Sequence, residues 1–216
     1  GRLEDDRMLT GRGRYVSDWT LPGQAYAYFV RSDRAHARIL TIGKEDALES
    51  KGVVAIFTGA DLAQAGLKPI PAAAPVKWKD GSEQRLAQRP SLAHEVVRHV
   101  GEPVALIVAE SAAQAQDAAE ALAIEYEELP AVTTAEQAQA PGAPQLHPGA
   151  PGNLVLDFVG GDEAATTAAF AKAAKVVKLR AYHSRVIGNP MEPRAAMGSY
   201  DAARDLYFLH GTTQGA

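Results

Sequence analysis

The stretch GEPVALIVAES, residues 101–111, holds the most apolar run of the sequence and decides the expected fold. Its Gly-Glu-Pro start is typical of a turn, and the apolar residues 104–109 predict a buried β-strand. Ser111 is a favourable N-cap residue, so the alanine-rich segment after it predicts a helix to about residue 122. Residues 123–127 then predict another strand, which stops at Pro130.

Short strands and helices are expected on the N-terminal side of this stretch. Residues 1–21 are interpreted as extended or irregular chain, and residues 66–90, rich in proline and polar residues, as a long surface excursion. A short helix over residues 44–50 should end before Gly52, and Asp61 should lead a helical turn. The predicted strands cover residues 24–31, 37–42, 53–58 and 95–99.

The C-terminal third begins with a segment of interleaved prolines and glycines, residues 138–153, which is typical of a linker or domain boundary. Beyond it, residues 162–174 predict a capped helix. Residues 153–160, 175–183, 195–200 and 206–210 predict strands. Because the sequence stops directly after a strand, this last domain of about 60 residues is expected to be incomplete.

The composition excludes several classes of function. Hydrophobic residues make up 46% of the 216 residues, charged residues 22%, and the net charge is −4, so a nucleic-acid-binding surface is not expected. No apolar stretch is long enough to span a bilayer. The absence of cysteine excludes disulfides, a cysteine nucleophile, an iron–sulfur cluster and a thiolate metal site within this chain. These features fit an α/β or α+β protein of the reducing cytoplasm.

Several local patterns could carry chemistry, but each has a simpler interpretation. The Gly-Arg-Gly-Arg run at residues 11–14 lacks the strand and helix of a phosphate-binding loop, which favours a glycine turn. His36 has no carboxylate or nucleophile at an obvious spacing, which favours a structural role. The acidic residues Glu125, Glu127 and Glu128 favour a solvated strand edge over a pair of catalytic carboxylates.

The segment Asn189-Pro190-Met191-Glu192-Pro193-Arg194 is more unusual. Two prolines keep it extended, so a carboxylate and a guanidinium are held close together ahead of a strand. A surface salt bridge and a functional loop both remain open at this point. Near the end of the sequence, the Gln214 amide could grip the edge of a heterocycle, although an ordinary polar strand end has the same pattern.

Motifs in a fixed order along nearly the whole chain resemble one known family. They are found at residues 4–18, 29–39, 52–62, 101–105, 126–132, 191–195, 200–201 and 213–214. In this order they resemble the molybdenum-binding large subunits of xanthine dehydrogenase, aldehyde oxidase and aerobic carbon monoxide dehydrogenase. Each motif alone is modest, and their ordered succession is what makes the resemblance specific.

The resemblance implies an α+β chain with an α/β-hammerhead domain followed by the start of a molybdopterin-binding domain. The expected bounds are an extended arm at residues 1–11, the hammerhead at 12–135, a linker at 136–153 and the molybdopterin-binding part at 154–216. In many relatives an Asn-Gln-Arg or Asn-Asn-Arg run precedes Met-Glu-Pro, whereas this chain has His183-Ser184-Arg185.

The family's chemistry is oxidative hydroxylation with water, and the resemblance places most of the machinery in later chain. The base glutamate is expected there, so Glu192 is not that base, and no catalytic or metal-ligating residue is expected here. Gln214 is the candidate cofactor-binding residue, and Glu192, Arg194 and Arg185 are candidates for the substrate channel or its loops. Arg194→Ala is expected to do more damage than His36→Ala.

The expected cofactor is molybdenum–molybdopterin cytosine dinucleotide in the full-length subunit, with none bound by this chain alone. The expected partners are the remainder of the molybdenum subunit and iron–sulfur and FAD subunits, in a dimer of heteromers. One alternative is a non-enzymatic binding or assembly module with the hammerhead fold. A small independent hydrolase is disfavoured, because the sequence has no recognisable arrangement of nucleophile and base.

Overall fold

The apolar stretch forms the central strand of a three-stranded antiparallel sheet. The computed structural model describes residues 3–70, 76–85, 87, 89–183, 187–190 and 192–213. Strand β5 (Pro103–Ala109) pairs on one side with β1 (Tyr26–Arg31) and on the other with β3 (Val53–Thr58). A strand whose two faces are both covered can be apolar throughout; here four of the seven residues are buried and the other three are half-buried.

A second antiparallel sheet has β2 (Ala37–Gly43) at its centre. Its neighbours are the two-residue strand β4 (Val96–Val97) and β6 (Ala123–Glu128). Both sheets belong to a unit formed by residues 25–169.

Helices of the larger unit pack beside the sheets. The helices are α2 (Glu45–Glu49), α3 (Gly59–Gln64), α4 (Ala112–Glu120) and α5 (Ala135–Ala138), and a 3₁₀ turn covers Pro151–Asn153. Helix α4 begins as predicted, because the Ser111 hydroxyl accepts a hydrogen bond from the Gln114 N–H at 3.3 Å. Its buried Ala115 and Ala118 pack in one cluster with Ile107 of β5. The predicted α+β class is confirmed.

The smaller unit comprises residues 1–24 and 170–216. It holds α1 (Asp5–Leu9), a 3₁₀ turn over Val16–Asp18 and the antiparallel hairpin β7 (Ala196–Asp201) and β8 (Leu206–Gly211). Helix α6 (Glu163–Lys172) crosses the division between the units. No helix within the described ranges is long and apolar enough to cross a membrane.

Four sequence-based predictions of local structure are wrong, one of them in part. The strands predicted at 153–160 and 175–183 are absent, since those residues have no ladder partner. Residues 155 and 157 instead accept hydrogen bonds on their carbonyl oxygens from the backbone of Arg85 and Lys79. The first 21 residues are not extended throughout, because the Glu4 and Asp6 carbonyls accept helical hydrogen bonds from Met8 and Thr10. Of the strand predicted at 95–99, only Val96–Val97 forms.

Helix α3 begins with a capping box, in which Thr58 and Asp61 each hydrogen-bond to the other's backbone N–H. The sequence pattern had predicted Asp61 as the first residue of this helix. Thr58 is the N-cap, and Asp61 is the third residue of the helix rather than its leader. The Asp61 carboxylate accepts hydrogen bonds from the Thr58 N–H at 2.7 Å and the Thr58 hydroxyl at 2.8 Å, and Lys44 Nζ lies 3.1 Å away. The Thr58 hydroxyl is the main cause that lowers the pKa of Asp61 below 3.8, although partial burial opposes it.

We expect Asp61→Asn to lower the free energy of unfolding by about 1 kcal/mol at pH 7, because the neutral amide cannot replace these charge-assisted bonds. With a lowered pKa in the folded state, the Asp61 contribution is present above its ordinary pKa of 3.8 and is lost as pH falls further. Urea titrations between pH 7 and pH 3 measure this. The control is Asp117→Asn on the exposed face of α4, and an equal loss in both variants would contradict the prediction.

Candidate functional site

In the smaller unit, residues 192–195 are held against the end of strand β8 by hydrogen bonds from Thr212. The Thr212 hydroxyl lies 3.2 Å from Glu192 Oε1 and 3.4 Å from the Pro193 carbonyl oxygen, and it can donate to either acceptor. The Thr212 N–H donates to the Ala195 carbonyl oxygen at 3.1 Å. Because Pro190 and Pro193 donate no backbone hydrogen bond, these contacts from Thr212 hold the loop against the hairpin.

The predicted loop residues differ in their surroundings. Glu192 is half-buried beside Thr212, whereas Arg194 is exposed and makes no hydrogen bond or ion pair within the described residues. No Glu192–Arg194 salt bridge is therefore present. Arg185 and Gln214 lie outside the described residues. The channel and cofactor roles of these residues stay predictions.

The other sequence candidates have the simpler roles. Arg38 Nη1 lies 3.0 Å from Glu127 Oε2 and Arg34 Nη1 lies 3.2 Å from Glu128 Oε1, so these carboxylates form ion pairs at an exposed strand. Gly11 follows helix α1 with φ +69°, a conformation that suits a glycine turn. Arg12 in this turn pairs with Asp6.

His36 is a structural residue, as its isolation in the sequence predicted. It is 7% exposed, and its Nδ1 donates to the Pro130 carbonyl oxygen at 2.6 Å. The Leu129 N–H donates to the His36 carbonyl oxygen at 2.9 Å. His36 therefore anchors the chain that leaves β6.

These contacts reverse the order of effects expected from the sequence for His36 and Arg194. We expect His36→Ala to lower the free energy of unfolding by about 2 kcal/mol, because the buried imidazole is removed together with its hydrogen bond to Pro130. Arg194→Ala should change it by less than about 0.5 kcal/mol. Urea unfolding followed by circular dichroism measures both, with exposed His94→Ala as the control. A larger loss for Arg194→Ala than for His36→Ala would restore the original order.

A second candidate site is a pocket of about 500 Å³ within the larger unit. Three parts of the chain line it. They are helix α3 with residues 67–69 after it, residues 90–98, and residues 147–149. Its polar side chains are Lys68, Ser91, His94, Glu95, Arg98 and His147.

Arg98 joins two walls of this pocket. Its Nε donates to the Leu146 carbonyl oxygen at 2.7 Å, and its Nη1 donates to the Val96 carbonyl oxygen at 3.2 Å. Half-buried His147 lies close by, and desolvation, assisted by the Arg98 charge, lowers the pKa of His147 below 6.5. No sequence pattern indicates this pocket, because Arg98 and Leu146 are 48 residues apart and meet only in the folded chain.

The donor set does not suit direct ligation of a metal by this part of the molecule. Within the described ranges no three His, Asp or Glu side chains come together as a metal site requires, and the sequence has no cysteine. The loop at 189–194 and Thr212 instead offer a hydroxyl, a carboxylate and a guanidinium. Such groups can contact the polar parts of an organic ligand.

Comparison with known proteins identifies the family. Residues 10–130 match the model described as aldehyde oxidase and xanthine dehydrogenase, a/b hammerhead domain. The nicotine 6-hydroxylase large subunit of Paenarthrobacter nicotinovorans is 38% identical over 219 residues, which cover 99% of this chain and 25% of that protein. The xanthine dehydrogenase molybdenum-binding subunit of Escherichia coli is 38% identical over 154 residues, which cover 71% of this chain and 20% of that protein.

A solved structure extends the similarity to the fold. The crystal structure of quinoline 2-oxidoreductase from Pseudomonas putida 86 has a TM-score of 0.81 and 38% sequence identity, covering 99% of this chain and 26% of that one. The chain thus spans between a fifth and about a quarter of the length of these relatives. Since the family model covers more than half of its residues, the chain belongs to the aldehyde oxidase and xanthine dehydrogenase family, with the hammerhead domain at residues 10–130.

Proposed function

We propose that this chain is part of the molybdenum-binding large subunit of an oxidoreductase that takes its oxygen from water. The substrate class is an aldehyde, an N-heterocycle or carbon monoxide. The observation that carries the proposal is the 38% identity to a hydroxylase large subunit over 99% of the chain. A relative named as a molybdenum-binding subunit supports the choice of metal.

In this proposal the larger unit is a frame. Its two sheets have cores of small apolar residues, and the carboxylates Glu127 and Glu128, which the sequence singled out there, are in ion pairs on an exposed strand. His36, the one buried candidate base, is held by a backbone carbonyl. The role of this unit is therefore to position the neighbouring parts of the subunit.

The smaller unit would contribute the contacts to the cofactor and the substrate channel. Molybdenum–molybdopterin cytosine dinucleotide, when bound, supplies the oxygen-transfer and two-electron chemistry of such an enzyme. Gln214 would grip the organic part of the cofactor through its amide, with Glu192, Arg194 and Arg185 along the channel. Thr212 orients Glu192, and the exposed Arg194 guanidinium is available to a polar or anionic group.

The proposed partners are the remainder of the molybdenum subunit and iron–sulfur and FAD subunits in the cytoplasm, assembled as a dimer of heteromers. The term "large subunit" in the name of one relative supports a complex with smaller subunits. Because this chain has no cysteine, the iron–sulfur clusters would have to be held by other chains or segments.

The test is to purify the native complex from cells that express the whole gene with its neighbours. We expect molybdenum by mass spectrometry, cytosine nucleotide after acid release, and dye reduction with an aldehyde, an N-heterocycle or carbon monoxide. Gln214→Ala should lower the molybdenum content, whereas Gln139→Ala, at an exposed position of the larger unit, should not. A complex without molybdenum that oxidises none of these substrates would overturn the proposal and favour the non-enzymatic module.

A further inference from the structure

The pocket of the larger unit has the size of a small-molecule site. Its volume of about 500 Å³ lies within the range of ligand-binding pockets in proteins. All of its lining residues fall between residues 59 and 149, so the pocket is formed by the larger unit alone. None of the candidate residues at 192–194 belongs to its lining.

One part of the pocket lining is apolar. Leu62, Leu67 and Leu92 contribute to it together with three prolines. Leu92 is 2% exposed, so this wall is anchored in the interior, while Leu67 remains 57% exposed at the rim. Such a wall favours a ligand with a compact apolar body.

The polar part of the lining favours an anion. The lining holds the two cations Lys68 and Arg98, against the single carboxylate of Glu95. The nearby Glu102 carboxylate is not part of the lining; it accepts the Arg98 backbone N–H at 2.5 Å and lies 3.6 Å from His99 Nδ1. Among the lining residues, cations thus outnumber carboxylates two to one.

Arg98 is the group best prepared to bind the anion. Its guanidinium is held by the Leu146 and Val96 carbonyls and has no carboxylate partner among the described residues. A half-buried charge without a counter-ion is costly, and an anionic ligand would remove that cost. Since the side chain is already fixed, little conformational entropy would be lost on binding. Nη2 is free of hydrogen bonds to the described part of the chain.

We propose that this pocket binds a small carboxylate with an apolar body, such as an aromatic carboxylate. The carboxylate lies against Arg98, with Lys68 at the rim, and the apolar body contacts the leucine wall. The site is an addition to the proposed function and does not depend on it, because it uses none of the residues assigned to the cofactor or channel.

The test measures binding of benzoate to the purified protein by titration calorimetry, with benzamide and inorganic phosphate as matched probes. We expect benzoate to bind at least about tenfold more tightly than neutral benzamide, as the loss of one charge-assisted hydrogen bond implies. Phosphate, which lacks the apolar body, should also bind more weakly. Arg98→Gln should weaken benzoate binding about tenfold, while Lys51→Gln, an exposed lysine outside the pocket, should leave it unchanged.

A second variant keeps the proposal testable if Arg98→Gln disturbs the segment at residue 146. Exposed Lys68→Gln should weaken benzoate binding about threefold without a change in the circular dichroism spectrum. Failure of benzoate to bind at millimolar concentration, or equal affinities for benzoate and benzamide, would overturn the proposal. Phosphate binding as tight as benzoate binding would do the same, since the leucine wall would then contribute nothing.

Discussion

Gly59→Ala is expected to lower the free energy of unfolding of the larger unit by about 3 kcal/mol, because the added methyl group has no room. A Cβ atom at Gly59 would lie 2.7 Å from the Ala93 carbonyl carbon and still closer to its oxygen. The Ala93 backbone cannot withdraw, since its N–H donates to the Pro103 carbonyl oxygen at 2.7 Å. The steric clash should therefore also disturb the hydrogen bond from Ala93 to Pro103, the first residue of the central strand β5.

Two measurements check this prediction. Urea titration gives the free energy of unfolding, and hydrogen exchange at the Ala93 amide reports whether its bond to Pro103 is loosened. The control is Gly43→Ala, where a Cβ atom would meet only ordinary contacts at 3.5 and 3.6 Å. We expect that variant to be neutral or slightly more stable, because alanine restricts the unfolded chain. If both substitutions had equal effects, close approach of the two backbones would not be the reason for glycine at residue 59.

The elements that were predictable from the sequence are those whose pattern reflects their own burial. Strand β5 is apolar throughout because its side chains are covered on both faces of the sheet, and helix α4 carries a Ser111 cap before an alanine-rich face. In contrast, apolar and polar residues alternate along the segment 175–183, as in a half-buried strand, but the segment pairs with no strand in the described structure. Alternation shows that a segment can form a strand, whereas strand formation also needs a neighbour, which the local sequence does not encode.

The two candidate sites were predictable to different degrees. Glu192 and Arg194 could be singled out from the sequence, because two prolines bracket this charged segment. The hydrogen bond from Thr212 to Glu192 could not be predicted, because it depends on the geometry of the β7–β8 hairpin. The pocket around Arg98 was missed entirely. Its polar residues come from three separate stretches of chain, and each of them alone is an ordinary surface residue. Only their convergence makes Arg98 a half-buried charge without a counter-ion.

Ile107→Ala is expected to have the largest effect on stability, about 4 kcal/mol. Ile107 is fully buried in β5 and is paired in register with Tyr28 of β1 and Ile56 of β3. Its cluster also contains alanines of helix α4. Alanine side chains have no rotamers with which to fill a void, so the cavity would remain open and the full loss of packing would be felt.

The matched control for this cavity is Val54→Ala on the edge strand β3, where the side chain is 62% exposed. Little packing is lost there, so we expect a change of less than about 1 kcal/mol. Urea titrations should give the same dependence on urea concentration for both variants, because the surface exposed on unfolding is nearly unchanged. A domain of this size has only about 5–15 kcal/mol of stability in total, so Ile107→Ala should also lower the yield of folded protein. Equal small losses in the two variants would mean that the cluster around Ile107 contributes no more to stability than the exposed side chain of Val54.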